Sequence, residues 1–203
     1  MHSMASLVLD HVFVIVEGPA RAVPLAAAGL TVHGGRRHPD QGTENRCIFF
    51  EEHFLELLFV HDMAEARANM LRLDARNPIG LALRSAAPEP LPLPSVVYRP
   101  TYGAGRFTID VTAARDQPLL FAMRPPSPPP SAWGHLARAD RVHPCGARRI
   151  AHLSLEGPGA AAWAVEAPWL SREEARAWRL TVWLEGAPGL DVVVSPHLSV
   201  RGR

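Results

Sequence analysis

The sequence contains no lysine, and its charges almost cancel. All 21 basic residues are arginines, and with 20 acidic residues they give a formal net charge of +1. A chain this close to neutrality has no electrostatic preference for nucleic acid. The use of arginine alone, together with many alanines and prolines, indicates a GC-rich genome rather than a particular function.

Cysteines and long hydrophobic runs are also scarce. The two cysteines, Cys47 and Cys145, belong to no CxxC pair and do not make a disulfide framework, so a reducing cytoplasm is expected. The most apolar run, SLVLDHVFVIV (6–16), is interrupted by Asp10 and His11 and follows no basic segment. The sequence therefore predicts neither a signal peptide nor a membrane span.

The signature motifs of several enzyme classes are missing. The chain has no GxSxG, P-loop, GxGxxG or HExxH pattern, so hydrolase, NTPase and dinucleotide-dependent activities have no support, and no organic cofactor is indicated. What is present is a hydrophobic fraction of 47% in 203 residues, enough for a full core.

Apolar segments and turn residues predict a βαβββ unit at the start of the chain. A short helix is predicted over residues 20–28, closed by Gly29, and a second helix from an N-cap at Asp62 to about Arg76. The predicted strands are residues 7–16, 30–35, 47–52 and 54–60.

A degenerate second unit is predicted over residues 79–124, in which APEPLPLP (87–94) replaces the helix. Its predicted strands are IGLALRS (79–85), VVYRPTY (96–102), RFTIDVT (106–112) and PLLFAMR (118–124). The proline-rich run PPSPPPSAWG cannot lie inside a sheet or helix, so residues 125–147 are predicted to form a linker or an excursion over the mouth of the barrel.

The C-terminal part repeats features of the start. RRIAHLSLEGP (148–158) echoes LDHVFVIVEGP (9–19), because each has a histidine in an apolar strand that closes with Glu-Gly-Pro. A helix over 159–170 and strands over 176–186 and 190–196 follow. Residues 148–203 are therefore predicted to be an additional partial βαββ module packed on the domain formed by residues 7–124. The fold class is α+β, with repeated βαβββ modules forming an open, curved mixed β-barrel around a pocket.

Glu56 is the most informative residue, because its carboxylate lies in the middle of an apolar strand. Burying an ionised carboxylate costs several kcal/mol unless it is paired or metal-bound. His11 lies mid-strand in the first strand, and an imidazole and a carboxylate on neighbouring strands can bind one divalent ion. His152, which matches His11, is a further candidate ligand. The alternative is that Glu56 pairs with Arg46 or Arg106 and that a backbone carbonyl satisfies His11.

A polar loop, RHPDQGTENR (37–46), lies just before the strands that carry Glu56. Arg46 at the pocket rim can bind a carboxylate or phosphate of a substrate in bidentate fashion. The substrate-binding candidates in this loop are His38, Gln41, Asn45 and Arg46. Composition alone also fits a polar hairpin loop with no special role.

Two segments carry a family resemblance. LDHVFVIVEGP followed by RHPDQGTENRCIFFEEHFLELLFV is similar to the opening of glyoxalase-like domains of the vicinal oxygen chelate superfamily, and HPCGARRIAHLSLEGP resembles a later segment of that branch. The resemblance implies paired βαβββ modules that hold a divalent metal ion (Zn, Ni, Fe or Mn). The ligands would be a first-strand histidine and a fourth-strand glutamate of each module, here His11 and Glu56. The second module has neither partner.

Two functions fit the sequence. In the first, a metal held by His11 and Glu56, with His152 and water, polarises vicinal oxygens of a small molecule, and Glu56 takes a proton, as in a lyase, isomerase or dioxygenase-like enzyme. In the second, the barrel only binds a small molecule, as drug-sequestering relatives in the superfamily do. The fold is compatible with a homodimer, and no sequence feature decides this.

Overall fold

The computed structural model describes residues 7–85, 91, 94–101, 108–163 and 165–203. Most of APEPLPLP, the ends of the predicted strands VVYRPTY and RFTIDVT, and Arg106 lie outside these residues. The strands are β1 (Leu7–Ile15), β2 (Arg37–His38), β3 (Thr43–Phe49), β4 (Phe54–Val60), β5 (Ile79–Ser85), β6 (Ser95–Tyr98), β7 (Thr108–Thr112), β8 (Leu119–Arg124), β9 (Arg149–Gly157), β10 (Leu170–Glu174), β11 (Arg179–Glu185), β12 (Asp191–Ser195) and β13 (Leu198–Gly202).

Helices are short. The α-helices are α1 (Val23–Ala27) and α2 (Met63–Ala68), and 3₁₀ turns lie at Pro19–Ala22, Leu73–Ala75, Pro130–Ala132, Arg138–Arg141 and Ala160–Ala162. None of the helices in the described ranges is both long enough and apolar enough to cross a membrane.

The first sheet has eight strands in the order β2-β3-β4-β1-β5-β8-β7-β6. Its two halves are alike: β1 is parallel to β4, β5 is parallel to β8, and β1 and β5 meet as an antiparallel pair in the centre. Each half is thus one module with its fourth strand beside its first. The sheet is an open, strongly curled half-barrel, which confirms the predicted α+β fold of repeated modules.

The second sheet has the order β10-β9-β11-β13-β12. Strand β9 is parallel to β10 and antiparallel to β11, which in turn is parallel to β13. The first sheet has the same pattern: β1 is parallel to β4 and antiparallel to β5, and β5 is parallel to β8. The C-terminal sheet therefore repeats the centre of the whole first sheet, with β9 in the place of β1 and β10 in the place of β4.

The two sheets pack back to back and share the main hydrophobic core. This core contains fully buried leucines of both sheets, namely Leu55, Leu57 and Leu81 from the first and Leu153, Leu155 and Leu180 from the second. A smaller cluster, Phe13, Leu58, Val111, Leu119 and Phe121, covers the other face of the first sheet. Because side chains alternate along a strand, the first sheet packs on the second with one face and lines a cavity with the other.

The hairpin around the polar loop differs from the prediction. The predicted strand over 30–35 is wrong, since only His33 forms a β-bridge there, to Cys47. Gly35 has a φ of +69°, and a Cβ at Gly35 would lie 2.1 Å from the carbonyl oxygen of Asn45, so the chain turns at this glycine. Strand β3 begins at residue 43 rather than 47 and ends at 49, which makes RHPDQGTENR itself the paired hairpin.

Helix α2 is shorter than predicted. It begins after the predicted N-cap Asp62, whose side chain accepts the N–H of Glu65 at 3.0 Å. It ends at Ala68 instead of near Arg76, because Asn69 leaves the helical conformation and its side-chain oxygen accepts the N–H of Leu71 at 2.8 Å.

The predicted helix over 159–170 is also wrong. Its alanine-rich start forms a single 3₁₀ turn, and Leu170 begins strand β10, paired with Leu153. Pro168 interrupts a longer helix, and pairing with β9 outweighs the helix propensity of the alanines. The last strand, β13, was not anticipated, although LSVRG has the apolar alternation of a strand.

Two histidines connect the sheets and the segment between them. His53, in the turn before β4, accepts the N–H of Ile150 on Nε2 at 2.8 Å. His143 accepts the N–H of Thr31 at 3.1 Å, and its Nε2 lies 3.1 Å from the carbonyl oxygen of Phe49. Burial, with the charges of nearby arginines, lowers the pKa of His53 to about 4, so its ring is neutral and able to accept at neutral pH.

Acidification is expected to weaken the fold through His53. Because the pKa of His53 is about 4 when folded and 6.5 ordinarily, the unfolded chain takes up the proton first as pH falls. We expect the free energy of unfolding, measured in urea, to fall between pH 6.5 and 4 less steeply in His53→Gln than in the wild type. The exposed control His135→Gln should keep the wild-type slope. Equal slopes for wild type and His53→Gln would contradict this expectation.

Candidate functional site

The concave face of the first sheet encloses a cavity of about 740 Å³, a volume typical of sites for drug-sized molecules. Polar side chains gather at one end, and they are His11, His38, Gln41, Asn45 and Glu56. Much of the remaining wall is apolar, formed by Phe13, Leu58, Ile109, Val111, Phe121 and Met123. The cavity is therefore an apolar chamber with one polar end.

A β-bulge in β1 brings Asp10 to His11. The pairing of β1 with β5 shifts register between Leu9 and His11, so Asp10 has no partner in the ladder and departs from the usual alternation. His11 Nδ1 and Asp10 Oδ1 lie 2.7 Å apart, although the two residues are neighbours in one strand. The Asp10 carboxylate also contacts the hydroxyl of Ser127 and lies 3.3 Å from Arg84 Nε.

These contacts determine how His11 faces the cavity. Burial raises the pKa of Asp10, but hydrogen bonds with His11 and Ser127 and the charge of Arg84 outweigh it and leave the pKa below its ordinary value. An ionised carboxylate only accepts hydrogen bonds, so His11 carries a proton on Nδ1 and donates it to Asp10. Its Nε2 is then the atom presented to the cavity, while the ring stacks on Phe54 with 4.2 Å between centroids.

Glu56 meets His11 at this polar end. Strands β1 and β4 are parallel neighbours, and Glu56 Oε2 lies 3.5 Å from His11 Nε2. The other oxygen, Oε1, accepts a hydrogen bond of 2.5 Å from Asn45 Nδ2. Glu56 is only 7% exposed, and its partners include the imidazoles of His11 and His38 and the amide of Asn45. The sequence left open an ion pair between Glu56 and an arginine. Arg46 does not form that pair, because its guanidinium contacts Gly34 and Glu44.

The β2–β3 hairpin supplies the other polar groups. Asn45 Oδ1 accepts the N–H of Arg36 at 2.7 Å, which turns Asn45 Nδ2 toward Glu56. His38 Nε2 lies 4.0 Å from Glu56 Oε1, and Thr43 Oγ1 donates to Gln41 Oε1 at 3.4 Å. Burial lowers the pKa of His38 more than the charge of Glu56 raises it, so this ring is neutral at neutral pH.

Arg46 lies on the opposite face of the sheet. Successive residues of a strand point to opposite sides, and Asn45 occupies the cavity side. The Arg46 guanidinium donates to Gly34 O and to Glu44 Oε1, both at 2.7 Å, and lies 5.4 Å from the centre of the Phe59 ring. Among the described residues, Arg36 lines the cavity instead, and the sequence did not identify it.

His152 lies in the second sheet and does not join His11 and Glu56. In β9, as in β1, a register shift precedes the histidine, and Ala151 stands at the bulge where β1 has Asp10. His152 Nε2 is 3.0 Å from Ser171 Oγ, and Ser171 occupies the position in β10 that Glu56 occupies in β4. The second sheet thus keeps the bulge and the histidine but has neither carboxylate.

In the second half of the first sheet, no described residue offers a metal ligand at the cavity. Its cavity-facing residues on β8 are Leu119, Phe121 and Met123. On β5, a Cβ at Gly80 would lie 2.1 Å from two ring atoms of Phe13, so the ring fills that space. Among the residues that the structure describes, no three His, Cys, Asp or Glu side chains are placed to hold a metal ion. The residues present do not fit a four-ligand centre.

Aromatic residues of the proline-rich segment close one side of the cavity. Trp133 packs against Phe49 and Phe54, with ring centroids 5.7 and 5.5 Å away, and stacks with His135 at 5.6 Å. His33 and Arg36 form the rim near the hairpin. No sequence pattern pointed to Trp133, His135, His33 or Arg36 as cavity residues. For the role of Asp10, the one signal in the sequence was the Asp10-His11 pair inside an apolar strand.

Loss of the Asp10 charge is expected to destabilise the protein strongly. Asp10→Asn removes a buried carboxylate that accepts hydrogen bonds from His11 and Ser127 and faces the partly buried Arg84 guanidinium. We therefore expect a loss of about 3 kcal/mol in the free energy of unfolding at pH 7. Asp191→Asn, which breaks the exposed pair with Arg201, should cost less than about 1 kcal/mol. Similar losses in urea denaturation of the two variants would show that Asp10 is not a buried countercharge.

Comparisons with known proteins agree with this architecture. A family model described as a glyoxalase-like domain matches residues 9–171. A hypothetical protein from Staphylococcus aureus has a similar structure, with a TM-score of 0.58 and 9% identity, over 97% of this chain and 99% of that chain. A hypothetical protein from Bacillus halodurans C-125, BH1468, aligns with 17% identity and a TM-score of 0.36, over 58% of this chain and 94% of that chain.

No curated protein matches the chain. The family match covers most of the sequence, and the similarity to the Staphylococcus aureus structure shows a shared fold. The repeated modules of the first sheet have the arrangement that the sequence resemblance implied. The chain therefore belongs to the glyoxalase-like domain family of the vicinal oxygen chelate superfamily.

Proposed function

We propose that the protein is a small-molecule enzyme of the lyase or isomerase type that moves a proton on an oxygen-bearing substrate between Glu56 and His11. One observation carries the proposal: a buried carboxylate and an imidazole face each other across 3.5 Å at the polar end of an apolar cavity. An apolar residue at position 56 would avoid the cost of burying a charge, so the carboxylate is better explained by chemistry than by stability.

Glu56 is the base in this proposal. Asn45 holds Oε1, which leaves Oε2 to take a proton from a substrate carbon beside a carbonyl group. The electron pair of the broken C–H bond moves onto the carbonyl oxygen and gives an enediolate-like anion. Glu56, or His11 Nε2 after relay across the 3.5 Å gap, returns the proton to the former carbonyl carbon. The hydroxyl proton on the first carbon passes to the former carbonyl oxygen, so a new carbonyl group forms at the first carbon and the product is an isomer with no proton gained or lost.

Asp10 is a positioning residue for this step. By accepting the Nδ1 proton of His11, it holds the ring with Nε2 toward Glu56. The amide of Gln41 and the neutral ring of His38 line the same cavity, and in this proposal they bind the oxygens of the substrate. The substrate-binding role predicted from sequence is thus proposed for His38, Gln41 and Asn45, with Arg36 replacing Arg46.

The proposed proton transfer uses only side chains of the protein. Members of the superfamily often use divalent metals. Here His11 and Glu56 are the two donors of the first module, and the positions of the second module are apolar. The acid–base pair is complete without such an ion, so no step depends on one.

Binding without catalysis is the second candidate function. The extent of the apolar wall favours it, because a large apolar chamber retains a ligand through burial alone.

Both cysteines are free, which supports the cytoplasmic location predicted from the sequence for either function.

Hydrogen exchange on trial substrates tests the proposal. The protein is incubated in D₂O with α-hydroxy carbonyl compounds of increasing chain length, and the signal of the proton beside the carbonyl is followed by NMR. We expect wild type to exchange this proton and Glu56→Gln to be at least about 100-fold slower, because an amide cannot take the proton. Glu44→Gln, on the opposite face of β3, is the matched control and should behave as wild type.

Two further outcomes decide between the functions. Pretreatment with EDTA should leave the exchange rate unchanged; loss of exchange that Mn, Ni or Zn restores would assign the step to a metal. If the compounds bind but wild type exchanges no proton, the protein is a binding protein and the enzyme proposal fails.

A further inference from the structure

We propose that the cavity takes an amphiphilic carboxylic acid, with its carboxylate held at the mouth by Arg36 and its alkyl or aryl chain on the apolar wall. This inference assigns a substrate class to the site above and in that sense rests on the proposed function.

Positive and neutral nitrogen groups dominate the polar lining. The described residues that line the cavity include four histidines, His11, His33, His38 and His135, and one arginine, but a single carboxylate, Glu56. The Arg36 side chain is exposed at the mouth. Its charge reaches inward, because it helps to lower the pKa of His38 and opposes the burial that raises the pKa of Cys47. An anion entering the cavity therefore meets a positive mouth first.

Arg36 and Glu56 line the same cavity. Asn45 connects the Arg36 backbone to the carboxylate, since its Oδ1 accepts the backbone N–H of Arg36 at 2.7 Å and its Nδ2 donates to Glu56 at 2.5 Å. A guanidinium binds a carboxylate through two parallel hydrogen bonds. A phosphate would bring a second negative charge into the cavity that holds Glu56, so a singly charged head group suits this site better.

The rest of the cavity is suited to the alkyl or aryl chain of the ligand. Residues of three regions, among them Leu71, Leu73, Ile109, Val111 and Met123, form a continuous apolar surface opposite the hairpin. A volume of about 740 Å³ exceeds the needs of a short hydroxy acid. Each methylene buried on this surface should strengthen binding about fourfold.

Calorimetric titration with four probes tests the inference: butyrate, decanoate, decanamide and decyl phosphate. We expect decanoate to bind most tightly, decanamide about 10-fold more weakly, and butyrate more weakly still. Arg36→Gln should bind decanoate and decanamide equally. Arg37→Gln is the matched control, because Arg37 is the next arginine in the chain and pairs with Glu44 outside the cavity; it should keep the preference for the acid.

Several results would overturn the inference. These are equal binding of decanoate and decanamide to wild type, tighter binding of decyl phosphate than of decanoate, or equal losses in Arg36→Gln and Arg37→Gln. Glu56→Gln separates this inference from the proposed function. It should bind decanoate at least as tightly as wild type, since it removes a negative charge, even though it is expected to stop proton exchange.

Discussion

The hydrogen bond between Asp10 and His11 is the interaction on which the site depends. In a regular strand these neighbours would point to opposite faces, and the carboxylate could not reach the ring. The bulge at Asp10 removes that restriction, and Arg84 and Ser127 then hold the carboxylate from β5 and from the proline-rich segment. The orientation of one imidazole is thus tied to three separate parts of the chain.

Comparison of the two sheets distinguishes the features that belong to the fold from those that belong to the site. It repeats the strand order, the bulge and the histidine of the first sheet, so these features belong to the architecture. It has Ala151 and Ser171 where the first sheet has Asp10 and Glu56. The two carboxylates are therefore not required by the strand pattern, and their presence in the first sheet points to a role at the cavity.

Local patterns in the sequence predicted the modules and the meeting of His11 with Glu56, because both depend on runs of apolar residues and on neighbouring strands. The register of the strands, which decides the face to which each side chain points, could not be predicted as well from the sequence. A shift of one residue decides which side a strand residue faces, and this placed Asn45 in the cavity and Arg46 outside it. Trp133 comes from a long connection whose path no local pattern determines. The predicted helix over 159–170 likewise gave way to tertiary pairing at its end, where Leu170 pairs with Leu153 of β9, and only residues 160–162 form a helical turn.

Asp10 fixes the ring of His11 with a proton on Nδ1 and with Nε2 facing Glu56. Long-range ¹H–¹⁵N NMR of the ¹⁵N-labelled histidine rings measures this directly. We expect a protonated Nδ1 in His11 at neutral pH, together with a change in the Nε2 resonance when a ligand enters the cavity. An unprotonated Nδ1, with the proton on Nε2 alone, would contradict it.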